Sequence, residues 1–167
     1  MTAAAWNLLL LGLFAAQHSG MARWRGLRRR TYALVSYAAV AAVATLWRPL
    51  PDLLWRTPPW VWPLWAASGV LLVWAAVSLG AGELLGWREP GPPVFREPFL
   101  YRFSRHPLYV AVLGLLWLRP VMTEGGLLLA AGLTVYLLIG MLFEERKLAR
   151  ELGEVYRAYQ RRVRPLL

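Results

Sequence analysis

At 167 residues the chain allows one domain and hardly two. Its apolar fraction of 58%, charged fraction of 17% and mean hydropathy of +0.41 tell against a water-soluble enzyme, since soluble domains average about 45–50% apolar and about 25% charged. With no cysteine in the sequence, disulfide scaffolds, thiolate metal sites and cysteine nucleophiles are excluded together, and any metal chemistry would rest on His18, His106 and carboxylates.

Five stretches carry no Asp, Glu, Lys or Arg: residues 1–22, 31–47, 57–82, 106–118 and 125–143. They hold more than half of the chain, too much uncharged surface for so small a body to bury in its own interior. The bilayer is the solvent they imply. The expected fold is an all-α polytopic integral membrane protein, with about five transmembrane helices and a C-terminal amphipathic cytoplasmic helix. It forms a single membrane domain over 1–167, with a three-helix part at 1–81 and the remainder at 82–167.

The first stretch, 1–22, is long enough to cross at 1.5 Å per residue, although Gln17, His18 and Ser19 make its last turn polar. No basic residue precedes its apolar run, so it reads as a retained helix rather than a secretory signal. The loop 23–30 holds five arginines. Stretch 31–47 is short, but Trp47 suits the interface and Arg30 can snorkel outward. Residues 49–63 collect five prolines among tryptophans, which predicts a stiff turn on the membrane surface. Stretch 57–82 spans easily. Its Gly80-Ala81-Gly82 run reads as small residues easing helix packing, because no strand precedes it as a nucleotide-binding glycine loop requires. Stretch 106–118 falls below spanning length, and Pro107 fits the first turn of a helix beginning there. Stretch 125–143 spans, and from Glu144 onward Leu148, Leu152, Val155, Tyr156, Tyr159 and Val163 recur every three or four residues, the pattern of an amphipathic helix against membrane or protein core.

Basic residues in the successive loops number five, two, four, one and seven. This alternation places the N-terminus outside and the C-terminus in the cytoplasm of a bacterial-type inner membrane. The net charge of +10 is then mostly a cytoplasmic collar facing anionic lipid headgroups, a better account of it than nucleic-acid binding.

Two places break the membrane pattern. Glu144-Glu145 follows the last span, where Lys or Arg is expected. Either the helix runs on and the pair bonds Arg146 or Lys147, or the helix ends there and one carboxylate accepts hydrogen bonds from a ligand such as an ammonium group or ribose hydroxyls. The segment 101–109 crowds Tyr101, Arg102, Arg105, His106 and Tyr109 onto the start of the short stretch. With Pro107 as first helical position, His106 sits near the N-cap and free backbone N–H groups offer an anion site. Arginine anchoring at headgroups explains the same residues. Both loops are cytoplasmic, so the two features can meet.

The run Arg105-His106-Pro107-Leu108-Tyr109, followed by Glu144-Glu145, Leu148, Gly153, Tyr156, Tyr159 and Val163, resembles the isoprenylcysteine carboxyl methyltransferase superfamily of membrane methyltransferases. Gln17-His18-Ser19 with Met21-Ala22-Arg23, Thr31-Tyr32, Trp47-Arg48-Pro49 and Pro120-Val121-Met122-Thr123 resemble its bacterial methanethiol S-methyltransferase branch. The resemblance implies S-adenosylmethionine held at the cytoplasmic face, in the part at 82–167. Tyr101, His106, Pro107, Leu108 and Tyr109 would line it, with Phe95 and Arg96 as neighbours and Glu144 as its carboxylate contact. An arginine one helical turn before the glutamate in the isoprenylcysteine enzymes is Gly140 here, which tells against a prenylated substrate.

The chemistry so implied is methyl transfer to a small or lipophilic thiol, with no metal. Arg105 would stabilise a thiolate and His18 would relay its proton; a helix-end histidine bonded to backbone is the plainer account of His18. A nicotinamide-dependent membrane reductase of a related fold, or a non-catalytic protein keeping the scaffold, are the alternatives. Methanethiol, hydrogen sulfide, a longer thiol, an isoprenoid carboxylate and a phospholipid amine all stay open as acceptors, and oligomeric state is not legible.

Overall fold

A computed structural model describes residues 1–24, 28–78, 80, 82, 85, 87 and 95–166. Arg25 and Arg88 of the basic loops, Ala81 of the glycine run and the expected boundary at residue 81 lie outside the described residues. The chain forms α1 (Ala3–Arg23), α2 (Arg29–Leu46), α3 (Trp62–Ser78), α4 (Pro107–Trp117), α5 (Glu124–Glu151) and α6 (Glu154–Arg162). Short 3-10 turns at Pro59–Val61 and Phe99–Arg102 lead into α3 and α4.

The solvent preference of this body is inverted. Leu8, Leu13, Leu34, Val40, Val70, Val73, Val77, Val135 and Leu142 are exposed, while Asn7, Ser36, Ser104 and His106 are buried. Apolar side chains on the outside and polar ones within suit lipid, where helices associate through small residues and polar contacts. Among the described residues, α5 and the segment Pro59–Ser78 are long and apolar enough to cross a bilayer. The 11 residues of α4 reach about 16 Å, half of the roughly 30 Å hydrocarbon core.

To the mostly helical architecture the structure adds a short antiparallel strand pair, β1 (Leu53–Arg56) and β2 (Val121–Thr123), with Leu53 opposite Thr123 and Arg56 opposite Val121. The proline-rich segment holds this shape because it caps α5. The carbonyls of Asp52 and Leu50 accept the N–H groups of Glu124 and Gly125 at 3.0 and 3.1 Å. Thr123 takes that of Gly126 at 3.1 Å. These are donors that a helix N-terminus leaves unpaired. At the same end Asn7, fully buried, clasps the backbone of Arg48 through two bonds of 2.8 and 2.9 Å.

Helices α3 and α4 meet at Gly114. A Cβ there would lie 2.2 Å from Ser68 Oγ and 2.9 Å from Ser68 Cβ. Gly114→Ala is therefore expected to destabilise by about 1–3 kcal/mol through overpacking. Adding Ser68→Gly, which removes both opposing atoms, should recover part of the loss in a thermal melt of the detergent-solubilised protein.

Helix α5 runs past its charge-free portion at 125–143 to Glu151, so Glu144 and Glu145 lie within a continuous helix and not at its negative pole. The amphipathic tail is two pieces rather than one. Gly153, at φ +62, occupies the left-handed region that side-chain-bearing residues avoid, and turns the chain back into α6. Tyr156, Tyr159 and Val163 form a buried cluster with Phe95, Tyr101, Leu148, Ala149 and Leu152. The tail therefore packs on protein, and Val155 alone of the predicted stripe is exposed. Its last residues pair with the start of α4: the carbonyls of Arg164 and Pro165 accept the N–H groups of Arg105 and His106 at 3.0 and 3.2 Å.

Candidate active site between α1, α4 and α5

Neighbouring residues on a helix point about 100° apart, and that angle divides the glutamate pair. Glu145 faces the tail. Arg105 meets it in a fork, Nε to Oε1 at 3.0 Å and Nη2 to Oε2 at 2.8 Å. Tyr156 Oη and Gln160 Nε2 donate to the same carboxylate at 2.8 and 2.7 Å. The imidazole Nε2 of His106 lies 2.6 Å from Oε1. Burial pushes this carboxyl up, but bonds from Arg105, Gln160, Tyr156 and His106 outweigh it and hold the group down at about 2. Burial and the adjacent Glu145 carboxylate push the Tyr156 phenol well above its ordinary range.

A carboxyl titrating near 2 in the folded protein and near 4.5 otherwise contributes stability that is complete above about pH 5 and is lost as pH falls from 4.5 towards 2. Melting temperature in detergent should accordingly fall through that window. In Glu145→Gln the fall should be largely absent, from a lower starting value.

Arg105 has its remaining donors on the carbonyls of Gln160, at 3.1 Å, and Val163, at the negative end of α6. Its side chain is 10% exposed. Arg105, which the sequence sets against a thiolate, here has Nε, Nη1 and Nη2 on Glu145 and the end of α6, and so ties α4, α5 and α6 together.

Glu144 faces the other way. Its side chain is 45% exposed, and Oε2 accepts the Tyr109 hydroxyl at 2.9 Å and stands 3.7 Å from His106 Nδ1. No Arg146 or Lys147 partner serves either carboxylate; Lys147 lies 3.9 Å from Glu151. His106, 5% exposed, occupies the N-cap position of α4, which begins at Pro107 as the sequence predicts. Its ring stacks on Tyr109 at 5.1 Å. Since an ionised carboxylate only accepts, Nε2 carries the proton given to Glu145 and Nδ1 is left towards Glu144. The imidazole is thus anchored on Glu145 and stands beside Glu144.

Alongside this cluster α1, α4 and α5 enclose a cleft of about 290 Å³, lined by Phe14, His18, Leu108, Tyr109, Val112, Leu133, Tyr136, Leu137 and Gly140. Residues 133, 137, 140 and 144 fall on one face of α5, so the helix face that lines the cleft continues to Glu144. Gly140 keeps it open beside Tyr109, whose hydroxyl would lie 3.8 Å from a Cβ at that position.

His18 is in this cleft, held from α2 and not by backbone at a helix end. Tyr32 Oη lies 2.8 Å from Nε2 and Ser36 Oγ 3.2 Å from Nδ1. Phe14 stacks on its ring at 5.5 Å.

Of the remaining predicted residues, Leu108 lines the cleft and Pro107 is buried beside it. The Tyr101 phenol is pushed up to about 12 by burial and then by the nearby Glu144 carboxylate, while its carbonyl accepts the Tyr159 hydroxyl at 2.6 Å. Phe95 packs edge-on against Tyr159 at 5.2 Å. Arg96 is exposed. Tyr156, Gln160, Tyr32, Ser36, Phe14 and Tyr136 escaped the sequence reading as site residues. Tyr156 and Gln160 carried the one signal: a phenol and an amide four apart on a helix packed against Glu145.

Comparison with known proteins places this geometry. No family model matches the chain, and no solved structure does. Over 94% of its length it is 40% identical to a methanethiol S-methyltransferase of a Pseudomonas strain, spanning 70% of that protein. Over 96% it is 37% identical to methanethiol S-methyltransferase 1 of Bradyrhizobium diazoefficiens, of which it spans 65%. Nurim of Bos taurus is 31% identical over 79% of the chain and is spanned to 63% of its own length.

Proposed function

The chain belongs to the methanethiol S-methyltransferase family of membrane methyltransferases, and on that footing we propose that it transfers a methyl group from S-adenosylmethionine to a small lipophilic thiol, methanethiol first among them. The observation that carries the reading is the cleft beside half-buried His18, whose wall on α5 continues along the same helix face to the half-exposed carboxylate of Glu144.

The residues present fit the cofactor. Glu144 offers a carboxylate oxygen to an ammonium group or ribose hydroxyls, with the Tyr109 hydroxyl fixing its orientation. Tyr101 and Tyr109 offer aromatic walls. When bound, the cofactor supplies an electrophilic methyl on a sulfonium. What remains for the protein is to hold the acceptor sulfur in line with that methyl and to keep water out, an effect that can supply about 7–11 kcal/mol. The apolar walls Phe14, Val112, Leu133 and Leu137 would hold the alkyl group of the thiol. His18 would take the proton as the new carbon–sulfur bond forms and the sulfonium's own bond to the methyl breaks.

The matching topology is about five passages between the two faces, the fourth made by the shortened α4 together with its flanking segments. Phe14 packs on Tyr136 and Arg23 on Phe143, so α1 and α5 run in the same direction. The first and fifth helices of a five-span chain with its N-terminus outside do so. The polar residues that lower the hydropathy of α1 and α2, His18, Tyr32 and Ser36, bond one another between those helices. A membrane site serves the reaction, since an apolar acceptor concentrates in lipid while the charged cofactor arrives from water.

The test is methyl transfer by the full chain in detergent, with trideuteromethyl cofactor and a panel of methanethiol, hydrogen sulfide, longer alkyl thiols, an isoprenoid carboxylate and a phospholipid amine, read by product mass. Labelled dimethyl sulfide is the expected product. Absence of label in every thiol would overturn the reading, and label only in the carboxylate or the amine would overturn the acceptor.

A further inference from the structure

We propose that Arg23, at the end of α1, and Glu144 bracket the mouth of the cleft as a matched charge pair for the zwitterionic amino-acid end of the cofactor, Glu144 taking the ammonium and Arg23 the carboxylate. The inference rests on the methyltransferase reading and deepens it. The guanidinium of Arg23 lies over the ring of Phe143, 4.8 Å from its centroid. Phe143 immediately precedes Glu144 and is turned about 100° from it around α5. That rotation sets Phe143 on the side of α5 facing α1, and Glu144 on the side facing Tyr109 of α4. The cleft lies between them, since its walls come from all three helices. Because α1 and α5 run in the same direction, the end of α1 and Glu144 stand at the same end of the molecule. One basic and one acidic side chain, both exposed, thus flank one opening.

The contact with Phe143 is through the charge of the guanidinium over the ring and uses no acceptor atom, so its N–H donors can form the fork that matches a carboxylate. Arg23 is therefore held without its donors being consumed. The contrast is Arg105, each of whose three guanidinium nitrogens is engaged by Glu145 or the end of α6. It differs too from Arg162, committed to Glu97. A ligand carrying both charges on one carbon can satisfy both sides of the mouth at once. That orients its sulfonium arm into the cleft, towards Tyr109 and His18.

Binding of two cofactor forms to the full chain in detergent, followed by calorimetry, tests this. S-adenosylmethionine carries the carboxylate; its decarboxylated form keeps the ammonium and lacks it. A charge-assisted contact predicts about tenfold or greater preference for the intact form. In Arg23→Gln the intact form should weaken to near the affinity of the decarboxylated one, which itself should not change; Arg23→Lys should retain part of the preference. Glu144→Gln should weaken both forms and leave their ratio alone. Arg23→Gln affinities equal to wild type would reduce Arg23 to a headgroup anchor and overturn the proposal, as would an equal loss for both forms. Wild-type protein that binds neither form would overturn the methyltransferase reading itself, a distinct result.

Discussion

Replacing Glu145 with alanine is expected to cost the protein its fold, whereas Glu144→Gln is expected to cost it only its cofactor. The two residues are adjacent and chemically identical, so the contrast isolates what surroundings do to a carboxylate. Glu145 is 13% exposed on its side chain and accepts from Arg105, His106, Tyr156 and Gln160. Removing it leaves a buried guanidinium unpaired, and breaking one half of a buried pair costs about 3–5 kcal/mol. Whole domains are stable by only about 5–15 kcal/mol. Glu145→Ala and Arg105→Ala should each lower melting temperature and yield sharply. The double variant should be far less destabilised than their sum, because each single change strands the group that the other removes. Glu144 has water on one side, and an amide oxygen can still accept the Tyr109 hydroxyl. Glu144→Gln should keep the wild-type melting temperature to within a degree or two and weaken the cofactor about tenfold or more, the worth of a bond to a charged group. Equal melting curves for Glu145→Ala and Glu144→Gln would refute this division of labour.

That division was beyond reach of the sequence, and the reason is geometric. Charge-free length announces membrane helices because lipid tolerates little else, and Pro107 announces the first turn of α4 because its missing N–H and fixed φ suit that position. Both are local properties. Which of two adjacent carboxylates meets Arg105 depends on a 100° rotation about α5 and on where α6 returns, and the return depends on the left-handed backbone of Gly153. The strand pair was hidden for a related reason: Leu53–Arg56 takes its conformation from a partner 65 or more residues away, in a segment whose prolines and tryptophans signal only a rigid surface turn. His18 was legible as a polar intruder in an apolar helix. Its holders, Tyr32 and Ser36, lie on α2 one helical turn apart, and a tyrosine and a serine beside a basic loop carry no mark of that duty.

His18→Ala is expected to lower turnover about a hundredfold or more at neutral pH, the lower range of what a positioned base supplies, with cofactor affinity unchanged. The imidazole is engaged at both nitrogens, by Tyr32 at Nε2 and Ser36 at Nδ1. A ring so held keeps one orientation towards the cleft, the pre-organisation a base requires. One nitrogen can take the thiol proton only as the hydroxyl bonded to it turns away, so the phenol of Tyr32 and the hydroxyl of Ser36 are positioning groups. Tyr32→Phe and Ser36→Ala should each fall between wild type and His18→Ala. The pH profile separates a base from a structural histidine. A thiol with no base must ionise by itself, near pH 8.5 or above as a cysteine thiol does, so the rate of His18→Ala should rise about tenfold per unit from pH 6 to 8 and close on wild type in the alkaline range. A wild-type rate should be nearly flat over the upper part of that interval. A deficit in His18→Ala that stays constant across pH would assign the residue to packing against Phe14 and Tyr32, and an unchanged rate at pH 7 would remove it from the reaction altogether.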